Sequence, residues 1–210
     1  TLDRSSAASD VYKRQARELC DQAGAALILD EVRAGFRVHA GGSWETVGVR
    51  PDLSAWSKSI ANGYALAAVT GVDALREAAT RIYTTGSFWS GGVAMAAGLA
   101  TIEVADAQDV VGHVQAMGQR FRDGIAAQSA SHGVPVRQTG PAALPLILFD
   151  EDPGFDKGAV FTVEALRRGV YLHPKHNMFL SLAHTVQDID RALQATDAAF
   201  AAVAQRFGHR

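Results

Sequence analysis

A single cysteine, Cys20, stands among 210 residues, so no disulfide can form within the chain. A reducing compartment is expected, and the chain is placed as cytoplasmic. No charge of one sign prevails: 20 Lys and Arg against 22 Asp and Glu leave a net charge of −2. That balance gives no electrostatic footprint for nucleic acid or for an anionic membrane surface. No uninterrupted apolar run approaches the roughly 18–20 residues that a membrane span needs, so no membrane partner is expected. Methionine is scarce, and the first, Met95, lies far from Thr1; neither an initiator nor a signal peptide is visible. The expectation from that absence is a fragment of a longer chain. What is present is ordinary globular composition, 48% hydrophobic and 20% charged, which excludes wholesale disorder. Alanine, at 38, and glycine, at 20, suit closely packed helices and backbone-lined turns.

Residues 1–15 (TLDRSSAASDVYKRQ) are polar and Ser-rich without a sustained apolar period, and are expected to be a non-native or disordered tail. From residue 16 short apolar runs alternate with helical patterns, the signature of an α/β protein. Residues 16–23 read as a helix stopped by Gly24, and 25–29 (AALIL) as a strand buried on both faces. Gly35, Gly41, Gly42, Gly48 and Pro51 forbid a long regular element over 35–53. An apolar run at 65–70 precedes helical patterns at 72–82 and 93–105, the second crowded with small residues that allow close approach. A second unit is expected from residue 106. There Val110, Val114, Met117, Phe121 and Ile125 recur at spacings of three and four, one face of an amphipathic helix. Strands at 144–149, 170–172 and 179–182, a helix near 161–168 and a closing helix over 187–207 complete it. The organisation is the end of an α/β domain over 16–105, then a smaller α+β domain over 106–210.

Three segments carry candidate chemistry: LILDEVRAGFR at 27–37, PDLSAWSKSIANG at 51–63 and TTGSFWSGGVAMAAG at 84–98. Asp30 directly follows an apolar strand, at the edge where open α/β sheets bind ligands. Asp30 and Glu31 point to opposite faces of an extended chain, so they do not form an acid/base dyad. Asp30 either pairs with a cationic group in a site or caps the next loop. Lys58, between Ser57 and Ser59, is a solvated lysine or an amine that forms a Schiff base. Its combination with Asp30 favours the second reading. Pyridoxal phosphate supplies an aldehyde for the amine, and needs a carboxylate to keep its ring nitrogen protonated. A Gly-rich, hydroxyl-bearing loop leading into a helix, as at 84–92, offers groups for the phosphate. Arg33 and Arg37 either bind a carboxylate or are exposed arginines at a strand end.

These residues carry a family resemblance. Leu27-Ile28-Leu29-Asp30-Glu31-Val32, Gly35-Phe36, Asp52-Leu53, Lys58 and Asn62-Gly63 follow one another in the order of a known signature. Val47-Gly48-Val49-Arg50-Pro51 leads in, and Gly169-Val170-Tyr171-Leu172-His173-Pro174 and Phe179-Leu180-Ser181-Leu182-Ala183-His184-Thr185 follow near the C-terminus. The pattern, from about residue 16 to the end, resembles class-III pyridoxal-phosphate aminotransferases, particularly the glutamate-1-semialdehyde 2,1-aminomutase-like branch.

The resemblance implies the C-terminal part of the large domain of a fold-type I enzyme, a mainly parallel sheet with flanking helices, followed by the small domain. Pyridoxal 5′-phosphate is then the cofactor, and a small-molecule amine or amino acid the substrate. Lys58 holds the cofactor as a Schiff base and shuttles a proton; Asp30 pairs with the ring nitrogen; Val32, on the face of Asp30 if the chain stays extended, packs on the ring. Ser87 occupies the position whose hydroxyl reaches the phosphate of a partner subunit, which implies a homodimer. Its other reading is a helix N-cap ahead of Val93.

Ser90-Gly91-Gly92, Ser59-Ile60-Ala61 and the short loop Lys175-His176-Asn177-Met178 depart from the aminomutase pattern. Transamination is therefore the first expectation, with the aminomutase and a catalytically inactive fragment as alternatives. The family's chain is about twice this length, and its phosphate-binding turn and ring-stacking aromatic belong to the half not recognisable here. His173, His176 and His184 have the residue type for a metal site. Pro174 argues against a shared helix turn for the first two, and no nearby Cys or acidic ligand completes a set, so no metal is expected.

Overall fold

A computed structural model describes residues 2–84, 86–89 and 91–208, with side chains from residue 9 onward. It divides into two compact units, Thr1–Asp109 and Val110–Arg210.

The first unit opens with helix α1, Leu2–Ala23. The helix thus starts well before residue 16, and the segment expected to be disordered is helical from Leu2. Its physical reason lies in composition: residues 2–15 hold neither Gly nor Pro, so the i→i−4 ladder extends back without a breaker. Strand β1, Ile28–Asp30, pairs in parallel with β2, Leu53–Trp56, which pairs antiparallel with β3, Ala68–Gly71. Leu29 and Ser54 are buried. Asp52 fastens the start of this sheet: its carboxylate accepts from Leu27 N–H and from the Arg17 guanidinium of α1, both at 2.7 Å. That guanidinium holds the Asp52 carboxyl below the usual carboxylate range.

Short 3₁₀ turns occupy Glu45–Val47, Lys58–Ala61 and Asp73–Leu75. The helix expected over 72–82 shrinks to the last of these and a five-residue α2, Arg76–Thr80. Helix α3, Gly92–Ala107, matches the Ala-rich pattern. Its Gly98 is buried, and a Cβ there would stand 2.8 Å from Leu66 and 3.6 Å from the Ile60 carbonyl oxygen. The small residue lets α3 press against the turn that begins at Lys58.

The second unit carries most of the buried apolar side chains. Helix α4, Val110–His132, buries Val114, Phe121 and Ile125, with Val110 and Met117 packed beside them. The hairpin of β4, Val136–Thr139, and β5, Leu146–Phe149, is antiparallel. Helices α5, Asp156–Arg167, and α6, Val186–Phe207, close the core. Phe149, Phe161 and Phe200 form an aromatic triangle with ring centroids 4.9–5.9 Å apart. The strands expected at 170–172 and 179–182 are absent. Leu172 and Leu180 are buried singly. Val170 N–H closes onto the end of α5 at the Ala165 carbonyl, and Leu180 N–H bonds the Ala143 carbonyl. Isolated bonds of this kind do not build a ladder. No described helix is long and apolar enough to cross a membrane.

Candidate active site

The parallel pair β1–β2 sets the geometry. Its register places Asp30 opposite Ala55, and Lys58 follows β2 within two residues of Trp56. Strands that run in parallel end at the same edge, so Asp30, the last residue of β1, and Lys58, just past the end of β2, both lie at the C-terminal edge of the pair.

Asp30 is exposed and its Oδ1 accepts from Val32 N–H at 2.9 Å. The carboxylate therefore does cap the following turn, while still facing outward from the strand end. This bond also ends the extended backbone: residues 32–34 are a turn. Val32 therefore does not continue the strand, and the expected same-face relation to Asp30 lapses. Glu31 faces the other way, as alternation requires, and is 1% exposed. Its backbone N–H bonds the Ala55 carbonyl at 2.9 Å. Its Oε1 accepts from both the N–H and the hydroxyl of Ser43 at 2.8 Å, whereas buried Oε2 has no partner.

Lys58 is exposed and stands at φ 53°, a left-handed conformation that a non-glycine residue adopts at a cost of order 1–3 kcal/mol. The turn around it is held from behind, where Ile60 and Ala61 are buried and the Ser57 hydroxyl donates to the Leu66 carbonyl at 3.1 Å. An open depression of about 450 Å³ lies at this turn, walled by Arg37, Ser57, Lys58, Ser59, Tyr64 and Leu66 among others. Asp30 is not part of that wall. The Ser59 hydroxyl is buried and has no hydrogen-bond partner. Arg37 is half-buried and donates to the Arg33 carbonyl at 2.9 Å. Burial lowers its pKa. Arg33 itself is exposed.

Ser87 is exposed in the turn before α3. The N-cap of that helix is Gly91, and no side chain caps it, so the N-cap reading of Ser87 does not hold. Thr85 and Ser90 of the same loop lie outside the described residues. In the second unit His173, His176 and His184 line an apolar cavity of about 450 Å³. His173 Nδ1 accepts from Lys175 N–H and His184 Nδ1 from Ser181 N–H, both at 3.0 Å. Among the described residues no three His, Cys, Asp or Glu side chains group as a metal set would.

Two residues escaped sequence reasoning as site elements: Glu31 as an anchored buried acid, and Ser43 as its partner. Alternation after Asp30 signalled the first, while nothing in the irregular 35–53 stretch singled out the second. The donor set at the sheet edge fits pyridoxal phosphate chemically, with an amine at Lys58, a carboxylate at Asp30 and, in the depression beside Lys58, an unpartnered hydroxyl at Ser59.

Comparison with known proteins bears on this edge. The family model for class-III aminotransferases matches residues 5–200. An aminopentol aminotransferase from Sphingopyxis macrogoltabida is 47% identical over 93% of this chain and 46% of its own length. A glutamate-1-semialdehyde 2,1-aminomutase from Syntrophobacter fumaroxidans is 36% identical over 89% of this chain and 47% of its own length. The FumI protein of Sphingopyxis sp. MTA144, solved in its PLP internal aldimine form, superposes with a TM-score of 0.91 at 46% identity. That match covers 94% of this chain and 48% of the other. The chain thus spans about half the length of the curated relatives it matches.

Proposed function

The chain belongs to the class-III aminotransferase family, and from that premise we propose that the protein carrying it transfers an amino group between an amine or amino-acid donor and a keto acid or aldehyde, with pyridoxal phosphate as cofactor. One observation carries the reading: parallel strands β1 and β2 deliver Asp30 and Lys58 to the same sheet edge. The 47% identity to an enzyme named as an aminotransferase favours transfer over the intramolecular aminomutase reaction.

Pyridoxal phosphate, when bound, supplies an aldehyde to take up amines and a protonated ring that stabilises negative charge at the carbon losing its proton. Lys58 holds the cofactor through its Nζ and, once displaced by the substrate amine, is the base that removes a proton from the amine-bearing carbon and returns it. Asp30 keeps a proton on the ring nitrogen, a task for which its bond to Val32 N–H helps to fix the carboxylate rotamer. Val32 packs on the ring from the turn rather than from an extended strand. Ser87, exposed and free of the capping role, offers its hydroxyl to the phosphate of a partner subunit in a homodimer. The 210-residue chain by itself does not turn over substrate in this reading. In support, the apolar residues that its first unit buries are only Leu29, Val49, Ile60 and Ala61 among those described.

Borohydride reduction of the protein loaded with pyridoxal phosphate, followed by peptide mass spectrometry, tests the assignment. A phosphopyridoxyl group is expected on Lys58 and absent from Lys58→Ala, together with loss of amino transfer from an amine to pyruvate. A label on another lysine overturns it.

A further inference from the structure

Every polar group of Glu31 but one is engaged. Its backbone N–H bonds the Ala55 carbonyl just past the β1–β2 ladder, and its own carbonyl accepts from Gly35 N–H, both at 2.9 Å. Oε1 takes both donors of Ser43 at 2.8 Å, whereas Oε2 is buried and unmet. A buried acceptor without a partner costs stability, and an apolar side chain of the same shape avoids that cost. Fold stability therefore does not account for a glutamate here.

What Glu31 does supply is a fixed peptide plane beside Asp30. The unit joining Glu31 to Val32 is planar, with the carbonyl of the first and the N–H of the second on opposite sides. On one side it accepts from Gly35; on the other it donates to Asp30 Oδ1 at 2.9 Å, the bond that orients this exposed carboxylate. The surrounding loop is tightly held for an irregular segment. Phe36 leans on the Trp56 ring, with centroids 5.4 Å apart. Gly42, at φ 116°, brings the backbone close to Glu31 Oε1, where a Cβ would stand 3.5 Å away. The buried acid thus clasps the far end of residues 32–43 back onto the strand that presents Asp30. Releasing the clasp frees the peptide plane, and with it the N–H that aims Asp30.

We propose that Glu31 is a positioning residue for the cofactor ring: through Ser43 it locks the Glu31–Val32 peptide, and that peptide aims the Asp30 carboxylate at the ring nitrogen. The inference rests on the transaminase reading and deepens it, since Asp30 meets a ring nitrogen only within that reading. Glu31→Gln keeps an oxygen acceptor for the two Ser43 donors and preserves the clasp. Glu31→Leu keeps the bulk and removes it.

The test reads binding rather than turnover, by absorbance titration of the protein that carries this chain. It compares pyridoxal phosphate with its 1-deaza analogue, in which a C–H replaces the ring nitrogen and Asp30 has nothing to hold. The wild-type protein binds pyridoxal phosphate more tightly than the analogue. In Glu31→Leu that affinity falls roughly tenfold, the scale of a weakened hydrogen bond to a charged group, while affinity for the analogue stays unchanged. Glu31→Gln restores the difference. Should Glu31→Leu not fold, Ser43→Ala removes one donor and gives a smaller loss of the same selectivity; no loss there counts against the proposal equally. Equal weakening of both ligands makes Glu31 a support of the loop alone and overturns the proposal, as does selectivity left intact in Glu31→Leu. A wild-type protein that binds both ligands equally instead takes Asp30 off the ring nitrogen, and the assignment of Asp30 falls together with the proposal. The two failures are thereby told apart.

Discussion

A methyl group at position 35 would stand 2.5 Å from the Trp56 ring and 2.9 Å from the Glu31 carbonyl oxygen. Gly35→Ala therefore forces Trp56 off its seat beside Phe36 and loosens the loop that Glu31 closes. Overpacking of this kind costs about 1–3 kcal/mol, and urea unfolding followed by tryptophan fluorescence should report a lower midpoint. At this scale the sequence was legible where a side chain's role follows from its place on a strand. Asp30 at a strand end and Glu31 on the opposite face are both read from alternation. Val32 and Ser87 are different. The Asp30–Val32 bond turns the backbone after one residue, and the start of α3 falls at Gly91–Gly92 rather than close behind Ser87. Both outcomes depend on local hydrogen bonds that residue spacing does not encode.

Among the elements, α6 is the most fully specified. Thr185 caps it, accepting from Asp188 N–H at 3.2 Å, while the Asp188 carboxylate accepts from Thr185 N–H at 2.9 Å. Bonds from the Thr185 hydroxyl and N–H, helped by Arg191, hold the Asp188 carboxyl at about 2, below the ordinary 3.8. A depressed carboxyl stabilises the fold above its unfolded pKa and ceases to do so as pH falls through its folded pKa. The cap should therefore weaken between about pH 4 and pH 2. Thr185→Ala costs about 1 kcal/mol near neutrality and flattens that acid dependence; thermal melts followed by circular dichroism at pH 6 and pH 3 check both. The amphipathic periods of α4 and α6 were legible because each buries one stripe. Strand β2 was not, since LSAW is four residues long with a polar Ser54 at its buried position. The strands expected at 170–172 and 179–182 failed for the converse reason. Leu172 and Leu180 are buried by side-chain packing, while the backbone makes single bonds, from Val170 to the end of α5 and from Leu180 to the turn before β5.

At the scale of the whole molecule the two units differ in how they dispose of apolar surface. The second packs a continuous cluster around Phe121, Phe161 and Phe200. In the first, Tyr83 is 89% exposed and Phe88 91%, and α3 leaves Val93 and Leu99 largely in contact with solvent. Contiguous exposed apolar surface drives association. The isolated 210-residue chain should self-associate in light scattering, and Val93→Lys with Leu99→Glu should shift it toward the monomer. A monodisperse wild-type monomer would contradict this. Sequence composition could not foresee the imbalance, because an Ala-rich helix pattern looks the same whether or not its faces are covered.

The parallel ladder between β1 and β2 separates two kinds of distance. Asp30 and Lys58 are far apart along the chain, yet their interval is set by strand pairing and not by the connection between them. The clasp from Glu31 to Ser43 protects the first part of that connection, and Asp52 pins its end. Between them lies exposed Gly48, at φ 70°. Insertion near Gly48 should therefore leave the pairing of β1 with β2 in place, at the expense of the Gly48–Glu45 turn bond and the seat of buried Val49. In an engineered protein the same stretch is the natural point at which to graft a recognition loop.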